Sequence, residues 1–316
     1  MGRQCYQRRL PTVDGTALQR MKIVLLGKNG QVGHELQRTL LPLGQVIPLG
    51  REEADLFSLT QLRGLLAQYT PDIIVNAAAY NAVDKAESDG ATAFRINAEA
   101  VGLMAERTCQ TGALLVHYST DYVFDGEKPA PYLETDATNP LSAYGRSKRA
   151  GEQAIEQSGC RALIFRTSWV FSAHGGNFVK TILRLAKERE NLNVVADQNG
   201  APTSAELIAD VTALAIAGYR SHALASGLYH LTAAGETSWY DLACHVVNRA
   251  LAKGAALKLH AEQIQAIPTE AYPLPAKRPK NSRMDTGALS SALGLHFPDW
   301  NVHVDRVVDQ LVSGKS

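Results

Sequence analysis

The chain has 316 residues, room for one large or two modest domains. Hydrophobic residues at 45%, charged residues at 20% and a net charge of +1 are ordinary globular values, so no strong field directs the protein to nucleic acid or an anionic membrane. No apolar run approaches the roughly 18–20 residues that span a bilayer, and Cys5, Cys109, Cys160 and Cys244 lie far apart with no Cys-x-x-Cys, which points to free thiols in a reducing cytosol rather than to a metal site or disulfide framework.

Residues 1–20 carry Arg3, Arg8, Arg9 and Arg20 against Asp14, without a secretory apolar core or a clean amphipathic period. They read as an extension, with Met21 opening the fold. Lys22-Ile-Val-Leu-Leu26 is a short apolar run fit for a buried parallel strand. Gly27-Lys-Asn-Gly30-Gln-Val-Gly33 follows at once, then a helical spacing of Leu36, Leu40 and Leu41. Strand, glycine turn and helix form the context of a dinucleotide site. Gly27 permits the tight turn, Gly30 lets backbone approach pyrophosphate, and Gly33 lets helix pack on strand. The helix start offers unpaired N–H groups to phosphate. The cofactor contacts expected here are Gly27, Asn29, Gly30, Gln31, Val32 and Gly33.

A second strand, Gln45–Leu49, ends at Gly50-Arg51. An acid at this place would favour NAD; Arg51 instead suits a 2′-phosphate and so NADPH, with NADH as the alternative. Asp55 and Leu56 are placed to approach the adenine. Leu59 to Gln68 reads as a helix, and Asp72 to Asn76 as a buried strand ending in Ala77, Ala78 and Ala79, small residues that let a cofactor lie against the backbone. Ala91 to Gln110 reads as one helix and Ala113 to Tyr118 as a strand. This alternation predicts an α/β fold, a Rossmann-type doubly wound parallel sheet that binds ligands beyond the carboxyl ends of its strands.

Ser119-Thr120-Asp121 stands at such an end. Tyr144-Gly-Arg-Ser-Lys148 then opens a helix and puts a phenol and an ammonium on one face. A nearby ammonium lowers a phenol's pKa toward working pH, so Tyr144, Lys148 and Thr120 are the candidate catalytic group. Asn97 reads as a support of the site, a buried cap or an exposed residue. His117, in a strand, reads as a satisfied interior or edge residue. The nine histidines show no metal-ligand spacing.

Beyond Phe171 the alternation loosens. Asn177 to Glu190 and Trp239 to Leu251 read as helices, Leu192–Val195 and Gly227–Leu231 as strands, and Pro268 to Pro279 as an extended loop. The expected organisation is a dinucleotide-binding domain of residues 21–172 plus about 205–240. A smaller α/β substrate-binding domain takes 173–204 plus 241–300, and 301–316 form a C-terminal segment. Trp169 reads as an aromatic wall for an apolar ligand face or as ordinary core packing, and Arg278 as a phosphate contact through its planar fork or as part of a solvated basic loop.

The glycine turn, Ser-Thr-Asp and Tyr-x-x-x-Lys resemble the extended short-chain dehydrogenase/reductase family. Val75-Asn-Ala-Ala-Ala79, Val83-Asp-Lys-Ala-Glu87, His117-Tyr-Ser-Thr-Asp-Tyr-Val-Phe124 and Phe165-Arg-Thr-Ser-Trp-Val170 narrow the resemblance to its dTDP-4-dehydrorhamnose reductases. So do Gly176-Asn-Phe178, Asp197-Gln-Asn-Gly-Ala-Pro202 and Arg278-Pro-Lys-Asn-Ser-Arg283. The resemblance implies NADPH-dependent reduction at C4 of a 4-keto-6-deoxy-L-sugar nucleotide, with Tyr144 as general acid. Lys148 would lower the Tyr144 pKa and hold the nicotinamide ribose, while Thr120 would bond the C4 oxygen. It further assigns substrate contact to Thr120, Asp121, Tyr144, Trp169, Asn177 and Arg278, and implies a cytoplasmic homodimer, in some relatives with magnesium held by interface glutamates. Two other readings stand beside it. One is a sugar-nucleotide epimerase or dehydratase on the same scaffold. The other is a non-catalytic reductase-like subunit, a class that typically lacks the Tyr–Lys pair.

Overall fold

The computed structural model describes residues 21–314, so the reading of residues 1–20 as an extension lies outside the described residues. The central sheet is parallel and contains β1 (Lys22–Leu26), β2 (Gln45–Leu49), β3 (Ile73–Asn76), β4 (Leu114–Thr120), β5 (Ala162–Thr167) and β6 (Gly227–His230). Its strand order is β6-β5-β4-β3-β1-β2, a doubly wound arrangement. Every residue of β3, β4 and β5 is buried, as expected of strands covered on both faces. Pro48 is tolerated because β2 is the edge strand.

On one face, helices α1 (Gln31–Thr39) and α2 (Ala205–Arg220) pack through Leu36, Ile208 and Ile216 onto Ile23, Val75 and Val116. On the other face lie helices over Leu59–Tyr69, Ala100–Thr111 and Ala143–Ser158, with Leu62, Met104 and Ile155 against Val24, Ile74 and Leu115. The last of these, here α3 (Ala143–Ser158), begins at Ser142, whose Oγ accepts from the Gly145 N–H at 3.1 Å.

A third core joins helices Phe178–Glu188, Trp239–Ala252 and Trp300–Ser313 through Ile182, Val246, Val247, Val304 and Val308. The strand Leu192–Val195 pairs in parallel with Ile264–Ile267, a partner the sequence pattern leaves unmarked. The boundary expected at 300/301 falls at the start of the last helix, which His245 and Arg249 bind to Asp305 and Asp309.

The helix expected over 91–110 is broken. Gly90–Phe94 and Ala100–Thr111 flank a π-helical turn at Arg95–Glu99 that contains buried Asn97. The Asn97 amide explains the irregularity. Its Oδ1 accepts from the Tyr80 N–H, and its Nδ2 donates to the Tyr80 carbonyl and to Ser147 Oγ. Asn97 therefore fastens the segment after β3 to α3.

Candidate active site

The glycine turn has the shape a dinucleotide needs. Gly27 sits at φ +88°, in the region open to glycine, with Ala77 and Ala78 backbone packed against it. A Cβ on Gly33 would lie 2.0 Å from the Gly27 carbonyl oxygen, so helix and turn touch there. No side chain caps the start of α1, which leaves its first N–H groups open to a pyrophosphate. Asn29, Gln31 and Val32 lie on this turn. Leu56 is buried, while Ala77 and Ala78 are half-buried beside the turn and Ala79 is exposed.

Arg51 extends into solvent at the end of β2, 83% exposed and 3.8 Å from Asp55. Lys28, overlooked in the sequence, adds a second cation at this place. Its Nζ is bonded to Glu53, which also accepts from the Gly50 N–H. An uncapped helix start, an open turn and two cations at the end of β2 fit an NADP-type cofactor.

Thr120, Asp121, Tyr144 and Lys148 converge at the carboxyl end of β4. Tyr144 is half-buried and edge-on to Tyr122, with ring centroids 5.6 Å apart. Burial pushes the Tyr144 phenol up to about 12, against a hydrogen bond with Thr120, and the nearby Asp121 charge adds to the rise. Thr120 Oγ1 also donates to Asp121 Oδ1 at 3.0 Å. Asp121 is buried with Oδ2 unpartnered, and burial pushes its carboxyl up to about 6 despite hydrogen bonds from Ser282 and Thr120.

Lys148 corrects one expectation. Its ammonium does not lower the tyrosine pKa here, because Nζ turns inward and donates to the Tyr118 carbonyl at 2.6 Å. Nζ also lies 3.4 Å from His117 Nε2, and burial lowers Lys148 to about 8, opposed by Glu152. The result suits reduction: the phenol keeps its proton at neutral pH and has one to donate.

Arg278 reaches the same region. It makes two hydrogen bonds with Asp84, at 3.1 and 2.8 Å, and lies close to Tyr122. The chemistry of Val83-Asp84 was not marked in the sequence; its role is to aim Arg278. Arg278, Trp239, Phe178, Gln198 and Ala276 line a groove of about 1050 Å³. Trp169 stacks on Trp239 at 3.6 Å, and its φ of +47°, unusual for a bulky residue, holds the indole in place.

Asn177 is differently occupied. Its Oδ1 caps the helix Phe178–Glu188, and its Nδ2 donates to Gln31 Oε1 and the Ser172 carbonyl. That amide joins the glycine turn to the substrate-side helix rather than facing the groove.

Among the described residues no group of three or more His, Cys, Asp or Glu is arranged to hold a metal. Cys109, Cys160 and Cys244 are free thiols. No helix of the described residues is long and apolar enough to cross a membrane.

Residues 21–313 match the family model of the RmlD substrate binding domain. A dTDP-4-dehydrorhamnose reductase of Burkholderia thailandensis is 52% identical over 297 residues, 93% of this chain and 100% of the relative. That of Escherichia coli K12 is 50% identical, covering 92% of this chain and 98% of the relative. The crystal structure of dTDP-4-dehydrorhamnose reductase from Bacillus anthracis in complex with NADP superposes with a TM-score of 0.82 at 34% identity, over 91% of this chain and 98% of that one.

Proposed function

The chain belongs to the RmlD substrate binding domain family, and we propose that it is an NADPH-dependent oxidoreductase that reduces the C4 keto group of dTDP-4-dehydro-β-L-rhamnose to give dTDP-β-L-rhamnose. The observation that carries this reading is the meeting of Thr120 and a protonated Tyr144 at the carboxyl end of β4, in the sheet whose first strand ends in the glycine turn. NADPH, when bound, supplies the hydride that reduces C4.

The residues of the chain do the rest. The first N–H groups of α1 hold pyrophosphate, and Arg51 with Lys28 favours the 2′-phosphate, hence NADPH over NADH. Thr120 Oγ1 orients the C4 oxygen toward Tyr144, whose hydroxyl donates the proton that completes the alcohol. Lys148 reaches the nicotinamide ribose once it turns from the Tyr118 carbonyl. Trp169 walls the sugar, Asp121 bonds it, and Arg278, aimed by Asp84, binds the diphosphate. Asn177 acts from behind, through Gln31.

We further infer that residues 21–172 with about 205–240 bind the cofactor and that 173–204 with 241–300 bind the substrate, joined by the C-terminal helix. The enzyme works as a cytoplasmic homodimer that supplies dTDP-L-rhamnose for cell-surface polysaccharide. Loss of NADPH absorbance on adding dTDP-4-dehydrorhamnose tests the reading. An epimerase would instead carry tightly bound NAD and leave added NADPH untouched. A dehydratase would need an acid pair, where Asp121 stands alone beside Thr120.

A further inference from the structure

We propose that Asn76 and His117 are positioning residues for Lys148: Asn76 locks the His117 imidazole with its proton on Nε2, and that N–H, directed at Lys148 Nζ, favours the amine form of the lysine. The reaction role drawn from this rests on the reductase reading; the geometry does not.

Asn76 ends β3 and is in register with His117 on β4. The Ala78 N–H donates to Asn76 Oδ1 at 3.2 Å, which fixes the amide with Nδ2 toward the imidazole. Nδ2 lies 3.2 Å from His117 Nδ1. An amide NH₂ only donates, so Nδ1 is the ring's acceptor. Burial holds His117 well below its usual range, so the ring is neutral and its one proton sits on Nε2.

Nε2 lies 3.4 Å from Lys148 Nζ. An ammonium has three donors and no acceptor, so it cannot receive this N–H; the amine can, through its lone pair. The amine still donates to the Tyr118 carbonyl. One directed chain of hydrogen bonds thus runs from Ala78 through Asn76 and His117 to Lys148 and Tyr118. Both Asn76 and His117 are 1% exposed, so water does not relieve the constraint.

The other groups around Nζ are few. Glu152, one turn along α3, favours the ammonium, but Arg166 of β5 holds its carboxylate at 2.9 and 2.7 Å and Arg149 adds a third contact. Tyr144 lies one turn earlier on α3. The π-helical turn packed on α3 presents Asn97, which does not titrate, while its Arg95 and Glu99 pair with each other.

A lysine balanced between its two forms has a use once Tyr144 has donated its proton. Turned from the Tyr118 carbonyl toward the site, the ammonium returns a proton to the phenolate; swung back inward it is the amine that receives the His117 Nε2–H, and it is reprotonated by solvent when it next turns out.

The test begins on the unaltered full chain. Nitrogen NMR of His117 is expected to show a protonated Nε2 and an unprotonated Nδ1; the opposite tautomer overturns the proposal without any variant or substrate. Asn76→Leu keeps size, adds no charge and releases the ring. In that variant the Lys148 side-chain carbon titration is expected to rise by about one pH unit, with the matching limb of the kcat/KM profile moving alongside and KM little changed. An unmoved lysine in a folded Asn76→Leu protein also overturns it. Absence of turnover in the unaltered chain, by contrast, overturns only the reductase reading.

Discussion

Asn177 Nδ2 donates to Gln31 Oε1 at 2.9 Å, which ties the helix Phe178–Glu188 to the first turn of the helix behind the glycine loop. Ser172 Oγ reaches the same oxygen, and His174 stacks on His34 at 4.2 Å beside them. The cofactor turn and the substrate-side helix are therefore held in one frame, with Asn177 bonded to both and Ser172 and His174 beside it.

Replacing Asn177 by alanine removes the helix cap together with the tether. Urea unfolding is expected to show a loss of about 1–2 kcal/mol, the scale of a lost cap. The KM for NADPH should rise while kcat changes little. An unchanged KM would confine Asn177 to capping.

Tyr144→Phe should leave NADPH binding intact and lower kcat by roughly 10²–10⁴-fold, the scale of a positioned acid. Because burial pushes Tyr144 up to about 12, the donor stays protonated through neutral pH, so rate loss from its own ionisation belongs only to strongly alkaline solution. Near-normal turnover in the variant would remove Tyr144 from its role.

Asp121 gives a pH-dependent effect on stability. Its folded pKa is raised to about 6, above the ordinary carboxylate value of about 3.9. Between those two values the folded state binds more protons than the unfolded one, so this group's contribution falls as pH rises and is fully unfavourable above pH 6. Asp121→Asn should therefore stabilise the protein at pH 8 relative to pH 4, by on the order of 2–3 kcal/mol at about 1.4 kcal/mol per unit, while lowering activity. Denaturant midpoints at the two pH values measure it; equal effects at both would contradict it.

Arg51→Ala should raise the KM for NADPH several-fold and leave that for NADH nearly unchanged, since an exposed arginine acts here on the 2′-phosphate alone. An equal change for both cofactors would assign Arg51 a general electrostatic effect.

The sheet was legible because its strands are short apolar runs set between helical periods, and the Gly27–Gly33 turn has one credible context. The candidate catalytic group could be named because Tyr144 and Lys148 share one helix face and Ser119-Thr120-Asp121 ends a strand; the structure brings Thr120, Tyr144 and Lys148 to one end of the sheet. Long-range pairings were not. Nothing in the linear order says that Asp84 aims Arg278, that Trp239 stacks on Trp169, or that Asn76 meets His117 under Lys148. The inward turn of Lys148 is hidden in the sequence for the same reason. Helical spacing sets the face a side chain occupies, but burial and the Tyr118 carbonyl decide where Nζ goes.

The most direct test of the account follows the hydride. The protein is incubated with dTDP-4-dehydrorhamnose and NADPH deuterated at the transferable position, and the sugar product is analysed by mass and NMR. The account predicts dTDP-rhamnose with one deuterium at C4 per NADPH oxidised. A product without deuterium at C4, or authentic substrate left unreduced, would contradict it.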